Sequence, residues 1–188
     1  MTRILGIDPG LTRCGVGVID LAAGRRVNLV SVDVYRSEPS LELSARIASI
    51  GNRIESLIEH AKPDVIALER VYADVNVRSV MGTAQISGVV LLLAARHGLP
   101  IALHTPTEVK AAVTGSGRAD KAQVGTMVAK ILGLVEVPKP ADAADSLAIA
   151  ICHAWRGAAA TATESEQLTP AQRAWQQAER LAARKREG

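Results

Sequence analysis

The stretch Arg3-Ile4-Leu5-Gly6-Ile7-Asp8-Pro9-Gly10 carries the decisive reading: an apolar strand that ends on a carboxylate and then turns at Pro9-Gly10. A second strand follows around Gly15-Val16-Gly17-Val18-Ile19-Asp20, and the Val-rich residues 26–35 form a third. Connections this short imply an antiparallel meander. Asp64-Val65-Ile66-Ala67-Leu68-Glu69 repeats the opening pattern, a buried strand that finishes in an acid. Two acids that terminate buried strands are costly unless something pairs with them.

Outward from these strands the pattern becomes helical. Leu41, Leu43, Ile47, Ile50, Ile54, Leu57 and Ile58 recur at helical spacing through residues 40–61, and Pro63 marks the exit. A second helix is expected from about 76 to 97 and a fifth strand over 100–104. A short helix capped by Thr105 or Thr107 reaches about Val113, a Gly-rich loop covers 114–118, and further helices cover 120–132 and 142 to about 155. The expected fold is α/β, a mixed five-stranded sheet flanked by helices, and the order of elements resembles the ribonuclease H-like arrangement. Residues 1–156 form one domain; residues 157–169 are small, polar and linker-like. Residues 170–186 place Ala174, Trp175, Ala178, Leu181 and Ala182 on one face, so 157–188 reads as a flexible tail carrying an amphipathic helix.

Composition narrows the function. The chain has 188 residues, 48% of them hydrophobic, enough for one sizeable core. It has no apolar run of about 18 residues, and its first ten residues lack the layout of a secretion signal, so a cytoplasmic protein without membrane partners is expected. Cys14 and Cys152 form neither a CxxC pair nor part of a His-rich cluster, which favours two reduced, buried thiols over zinc or a disulfide. The net charge of +3 says little alone. Residues 1–156 carry 17 basic and 15 acidic side chains, so four acids given over to metal would leave 17 basic against 11 acidic, a surface suited to a polyanion.

Asp142 and Asp145, spaced i and i+3 at a helix start, share one face, and the helix N-terminus offsets part of their repulsion. If that helix crosses the two strand ends, Asp8, Glu69, Asp142 and Asp145 converge. Carboxylates clustered without His or Cys partners suit Mg²⁺, or Mn²⁺ in its place, better than zinc. Two such ions about 4 Å apart serve phosphodiester hydrolysis. Taken singly the acids have structural readings: Asp142 as a helix cap, Asp145 as a capping or first-turn residue, Asp8 as a turn former. Tyr72 stands out in a chain with no Phe, two Tyr and two Trp, either as a base-stacking ring just beyond a strand end or as a core ring under the loop. The small residues Gly82, Ala84, Ser87 and Gly88, and the nearly all-round apolar run 89–95, suggest that the second helix also meets another subunit.

The segments GIDPGLTRCGVGVID, ALERVY, VTGSGRADK and DAADSLAIAICH, taken together in order and spacing, resemble the RuvC family over residues 1–156. The resemblance implies a homodimer that binds a four-way (Holliday) DNA junction and makes paired metal-dependent nicks with 5′-phosphate and 3′-hydroxyl ends, in cooperation with the RuvA and RuvB branch-migration proteins. It places the metal-binding acids on Asp8, Glu69, Asp142 and Asp145, the same four that the residues point to. It places the base-stacking aromatic on Tyr72, where many members carry Phe, and basic positions on Lys110 and Lys121, either of which can hold the scissile phosphate or stabilise developing charge; Lys121 is taken as catalytic. Arg118, Asn76 and Arg78 are further expected DNA contacts. TGSGRADK lacks the spacing of a nucleotide-binding P-loop. An actin-like ATPase, whose phosphate hairpin resembles DPGLTRCGVGVID, needs a much longer chain. A YqgF-like nuclease shares the opening but not the segment from Glu69 to Tyr72 or the DAADSLAIAICH helix. A non-catalytic junction-binding module would not need four intact acids.

Overall fold

The structure, a computed structural model, describes residues 1–71 and 77–163, with side chains throughout except at 77–79 and 157–163. The chain divides into a compact unit, Met1–Trp155, and a second unit, Arg156–Gly188. Residues 170–186, where an amphipathic helix is expected, lie outside the described residues.

The sheet has the order β3-β2-β1-β4-β5. Strands β1 (Thr2–Asp8), β2 (Arg13–Leu21) and β3 (Val27–Arg36) form the expected antiparallel meander. Strands β4 (Val65–Glu69) and β5 (Ile101–His104) extend it in parallel from the other edge of β1. Parallel neighbours need crossovers. Helices α1 (Leu43–Ala61) and α2 (Val77–Arg96) supply them, followed by α3 (Pro106–Thr114), α4 (Lys121–Leu132) and α5 (Ala141–Thr163).

Both faces of the sheet are covered, which is why Ile4, Leu5 and Ile7 are all buried although side chains alternate between faces. Leu5, Ile7, Val16, Ile66 and Leu68 pack with Ile50, Ile54, Ile86 and Val90 of α1 and α2. Ile4, Ile19 and Ala67 pack on the opposite face with Val109, Val124, Val128, Leu147 and Ile151 of α3, α4 and α5. This period of two decides where the acids point. Asp8 shares the parity of Ile4 and Gly6, and Glu69 that of Val65 and Ala67, so both strand-end carboxylates project on the α5 side.

Glycine at positions 6 and 15 lets α5 lie directly on the sheet. A Cβ at Gly6 would meet the Ser146 carbonyl oxygen, and one at Gly15 the Asp142 carbonyl. Glycines that read as strand residues in the sequence therefore set the depth at which the acid-bearing helix docks.

Helix ends follow their local chemistry. Thr105 and Glu108 form a capping box at α3, with Pro106 in its first turn, and Asp120 and Gln123 form one at α4. Gly115 and Gly133 close these helices in the left-handed conformation. One expectation is corrected: residues 157–163, read as linker, continue α5 to Thr163. Ala158, Ala159, Ala160 and Ala162 are the strongest helix formers available, and their small size made the segment look like a spacer.

Candidate active site

Asp8 and Glu69 end neighbouring strands whose register pairs Ile7 with Leu68, so the two acids stand side by side. Asp145, one turn into α5, comes down on them from the helix layer. Together Asp8, Glu69 and Asp145 line a cleft of about 240 Å³, whose other walls include Lys110 and Val109 of α3, Lys121 and Val124 of α4, and Ile149 of α5. Lys121 Nζ donates to Asp145 Oδ2 at 3.0 Å. Asp142, in the first turn of α5, is held by Arg13 at the start of β2, Nε to Oδ2 3.2 Å.

The electrostatics are those of an acid cluster short of positive charge. Burial at the cleft floor, then the Glu69, Asp145 and Asp142 carboxylates, push the Asp8 carboxyl up to about 8 against the pull of Lys121. Burial, then Asp145, raises Glu69, opposed by Lys121 and Lys110. The hydrogen bond to Asp145 raises Lys121. Burial and three neighbouring carboxylates thus favour the protonated form of Asp8, and Lys121 offsets them only in part. Among the described residues no group of three His, Cys, Asp or Glu side chains is set, as it stands, to hold one metal ion. Lys121 and Arg13 each engage one of the four carboxylates instead. The donor set fits a hard divalent cation: all oxygen, anionic in excess, and open on one side.

Of the other expected residues, Lys110 and Lys121 enter the cleft. Arg118 does not; it lines a separate concavity with Ser116, Asp120 and Gln123. Tyr72 and Asn76 lie outside the described residues, and of Arg78 only the helical backbone is described. Cys14 and Cys152 are buried and form no disulfide, and burial pushes the Cys14 thiol up to about 12, as suits an unreactive core residue. Among the described residues no helix is long and apolar enough to cross a membrane.

The sequence reading missed Arg13, whose signal was parity: it lies two residues before Gly15 and therefore on the α5 face. It also missed the contact of His104 Nε2 with His153 Nδ1, 3.2 Å, which ties the end of β5 to α5 beside Glu69.

A mixed five-stranded sheet with carboxylates at the ends of adjacent strands and a third delivered by a covering helix defines a ribonuclease H-like fold with an acidic site. The family model described as "Crossover junction endodeoxyribonuclease RuvC" matches residues 4–153, and the chain belongs to that family. This assignment separates it from the YqgF-like and actin-like readings. It is 55% identical to the crossover junction endodeoxyribonuclease RuvC of Leifsonia xyli subsp. xyli, covering 97% of this chain and 94% of that one. It is 62% identical to the Clavibacter sepedonicus protein of the same name, over 82% of this chain and 76% of that one. Among solved structures, Thermus thermophilus RuvC in complex with a Holliday junction substrate superposes with a TM-score of 0.81 at 32% identity, covering 86% of this chain and 98% of that one. The yeast mitochondrial resolvase Ydc2 shares the fold at 16% identity, with a TM-score of 0.65 over 87% of this chain and 82% of that one.

Proposed function

We propose that the chain is a Mg²⁺-dependent crossover junction endodeoxyribonuclease that resolves four-way DNA junctions by paired nicks, leaving 5′-phosphate and 3′-hydroxyl ends, in the cytoplasm. The convergence of Asp8, Glu69 and Asp145 with Lys110 and Lys121 in one cleft, in a chain of this family, carries the reading. Asp8, Glu69, Asp142 and Asp145 would hold the Mg²⁺, or Mn²⁺ in its place, which supplies water activation and stabilisation of the leaving oxygen at a phosphodiester. The protein's own contribution is positioning and charge. Lys110 on α3 holds a phosphate oxygen against the cleft wall, and Lys121, already oriented by Asp145, faces the charge that builds on the reacting phosphate. Tyr72 stacks on an unpaired base near the junction centre, and Asn76, Arg78 and Arg118 follow the backbone.

The test is a labelled four-way junction against linear duplex, with and without Mg²⁺. Paired nicks restricted to the junction and to Mg²⁺ are expected; binding without cleavage under every condition would instead mark a non-catalytic junction-binding module. Lys121→Ala is expected to lower single-turnover nicking by about 10²-fold, with junction affinity changed only a few-fold, because Lys121 works at the reacting phosphate and not along the DNA arms. Equal losses in binding and in rate would remove it from that role.

We also propose that two copies associate through α2 and that the dimer works with RuvA and RuvB. Met81, Leu91 and Leu92 of α2 are about half exposed, apolar surface that a second copy would cover. Leu92→Glu is expected to raise the dimer dissociation constant at least about 10-fold, one charge facing an apolar surface across a twofold axis. Sedimentation equilibrium measures it, and an unchanged mass would move the interface elsewhere.

A further inference from the structure

The guanidinium of Arg13 sits at the margin of the acid cluster, outside the roles assigned above. Its Nε lies 3.2 Å from Asp142 Oδ2, and the Arg13 side chain is 56% exposed against 18% for Asp142. The charge of Asp142 is felt at Asp8, yet the cleft walls are formed by the other three acids, while Asp142 is engaged from the side by Arg13. An ion pair whose guanidinium is this exposed is weak, about 0–1 kcal/mol. A guanidinium fork fits a phosphate as well as it fits a carboxylate.

A phosphate has a path to it. Across the β2–β3 ladder Arg13 pairs with Arg36, also exposed, and Arg46 is fixed beside them by Ser37 Oγ and Thr12 Oγ1. Three arginines therefore stand at the end of the sheet where the acids lie.

We infer that Arg13 is a positioning residue with two exclusive partners: the Asp142 carboxylate in the DNA-free chain, and a backbone phosphate of the bound DNA. Seating the DNA draws Arg13 away and leaves Asp142 free to join the cation-binding set, so the full complement of divalent ions assembles only under the strand to be cut. The inference rests on the metal site proposed above.

Mn²⁺ titrated calorimetrically into the DNA-free full chain is expected to show its weakest binding step tightened about fivefold in Arg13→Gln, the release of one exposed ion pair. The gain is expected to disappear in Arg13→Gln/Asp142→Asn, and Arg13→Lys is expected to fall near wild type. Junction affinity measured in EDTA across a salt series is expected to lose about one unit of log–log slope in Arg13→Gln. A wild-type Mn²⁺ isotherm together with a wild-type slope would overturn the inference. Absence of Mn²⁺ uptake by both the wild type and Arg13→Gln would overturn the metal reading and the Asp142 exchange together, whereas the slope, read without metal, stands or falls on Arg13 alone.

Discussion

Asp8→Asn is expected to reduce junction nicking by about 10³-fold or more while leaving junction binding largely intact, and to stabilise the cation-free protein at pH 8. Both effects follow from one carboxylate. Asp8 is buried at the cleft floor, where Glu69, Asp145 and Asp142 also act on it, so its negative charge is the one most in need of a cation. With its carboxyl raised to about 8 in the folded chain and near 3.8 when unfolded, the folded state holds the extra proton between those values. Stability therefore falls as pH rises through that window, and the folded chain carries the full penalty of the ionised group only above about 8. Asparagine removes the penalty. The variant is expected to exceed wild type by about 1–3 kcal/mol at pH 8 in EDTA, after allowance for relaxation around the site. Near pH 4 the two are expected to coincide. Mg²⁺ is expected to stabilise wild type at pH 8 and the variant much less. Urea unfolding at both pH values, with EDTA or Mg²⁺, reads all three comparisons; superimposable curves at pH 8 would show that burial and the neighbouring acids do not penalise ionised Asp8.

Gly15→Ala, a change of one methyl group, is expected to destabilise the chain by about 2–4 kcal/mol and to lower nicking by about 10²-fold. The new Cβ has nowhere to go: it meets the Asp142 carbonyl carbon and oxygen, which are helix backbone, and the Ser146 Cβ beside them. The first turn of α5 must lift. Asp142 and Asp145 ride on that turn, so Asp8 and Glu69 would face displaced partners. Because the cleft lysines proposed to meet DNA lie on α3 and α4, junction affinity is expected to stay within a few-fold of wild type. Chemical denaturation and single-turnover cleavage measure the two losses, and a stable, fully active Gly15→Ala protein would mean that α5 does not rest directly on Gly15.

Much of this molecule was legible before folding. The meander, the strand ends at Asp8 and Glu69, the crossover helices and a threonine cap on α3 all arise from local rules: period two against period 3.6, turn residues, and side chains that satisfy helix N-termini. The extension of α5 was obscured because an alanine run signals a strong helix and a plain spacer by the same small residues.

The four acids could be named from the chain because each ends a strand or opens a helix, and those are local facts. Their effect on one another could not. Asp8 and Glu69 neighbour each other through a parallel pairing of segments about sixty residues apart, and Asp145 reaches them because Gly6 and Gly15 admit α5 to the sheet surface. The raised Asp8 carboxyl, the engagement of Lys121 with Asp145 and the Arg13–Asp142 pair depend on separations between distant segments, set by how helices settle on the sheet. Strand and helix periods encode which face a side chain takes. Only packing decides which charges share that face, and at what distance.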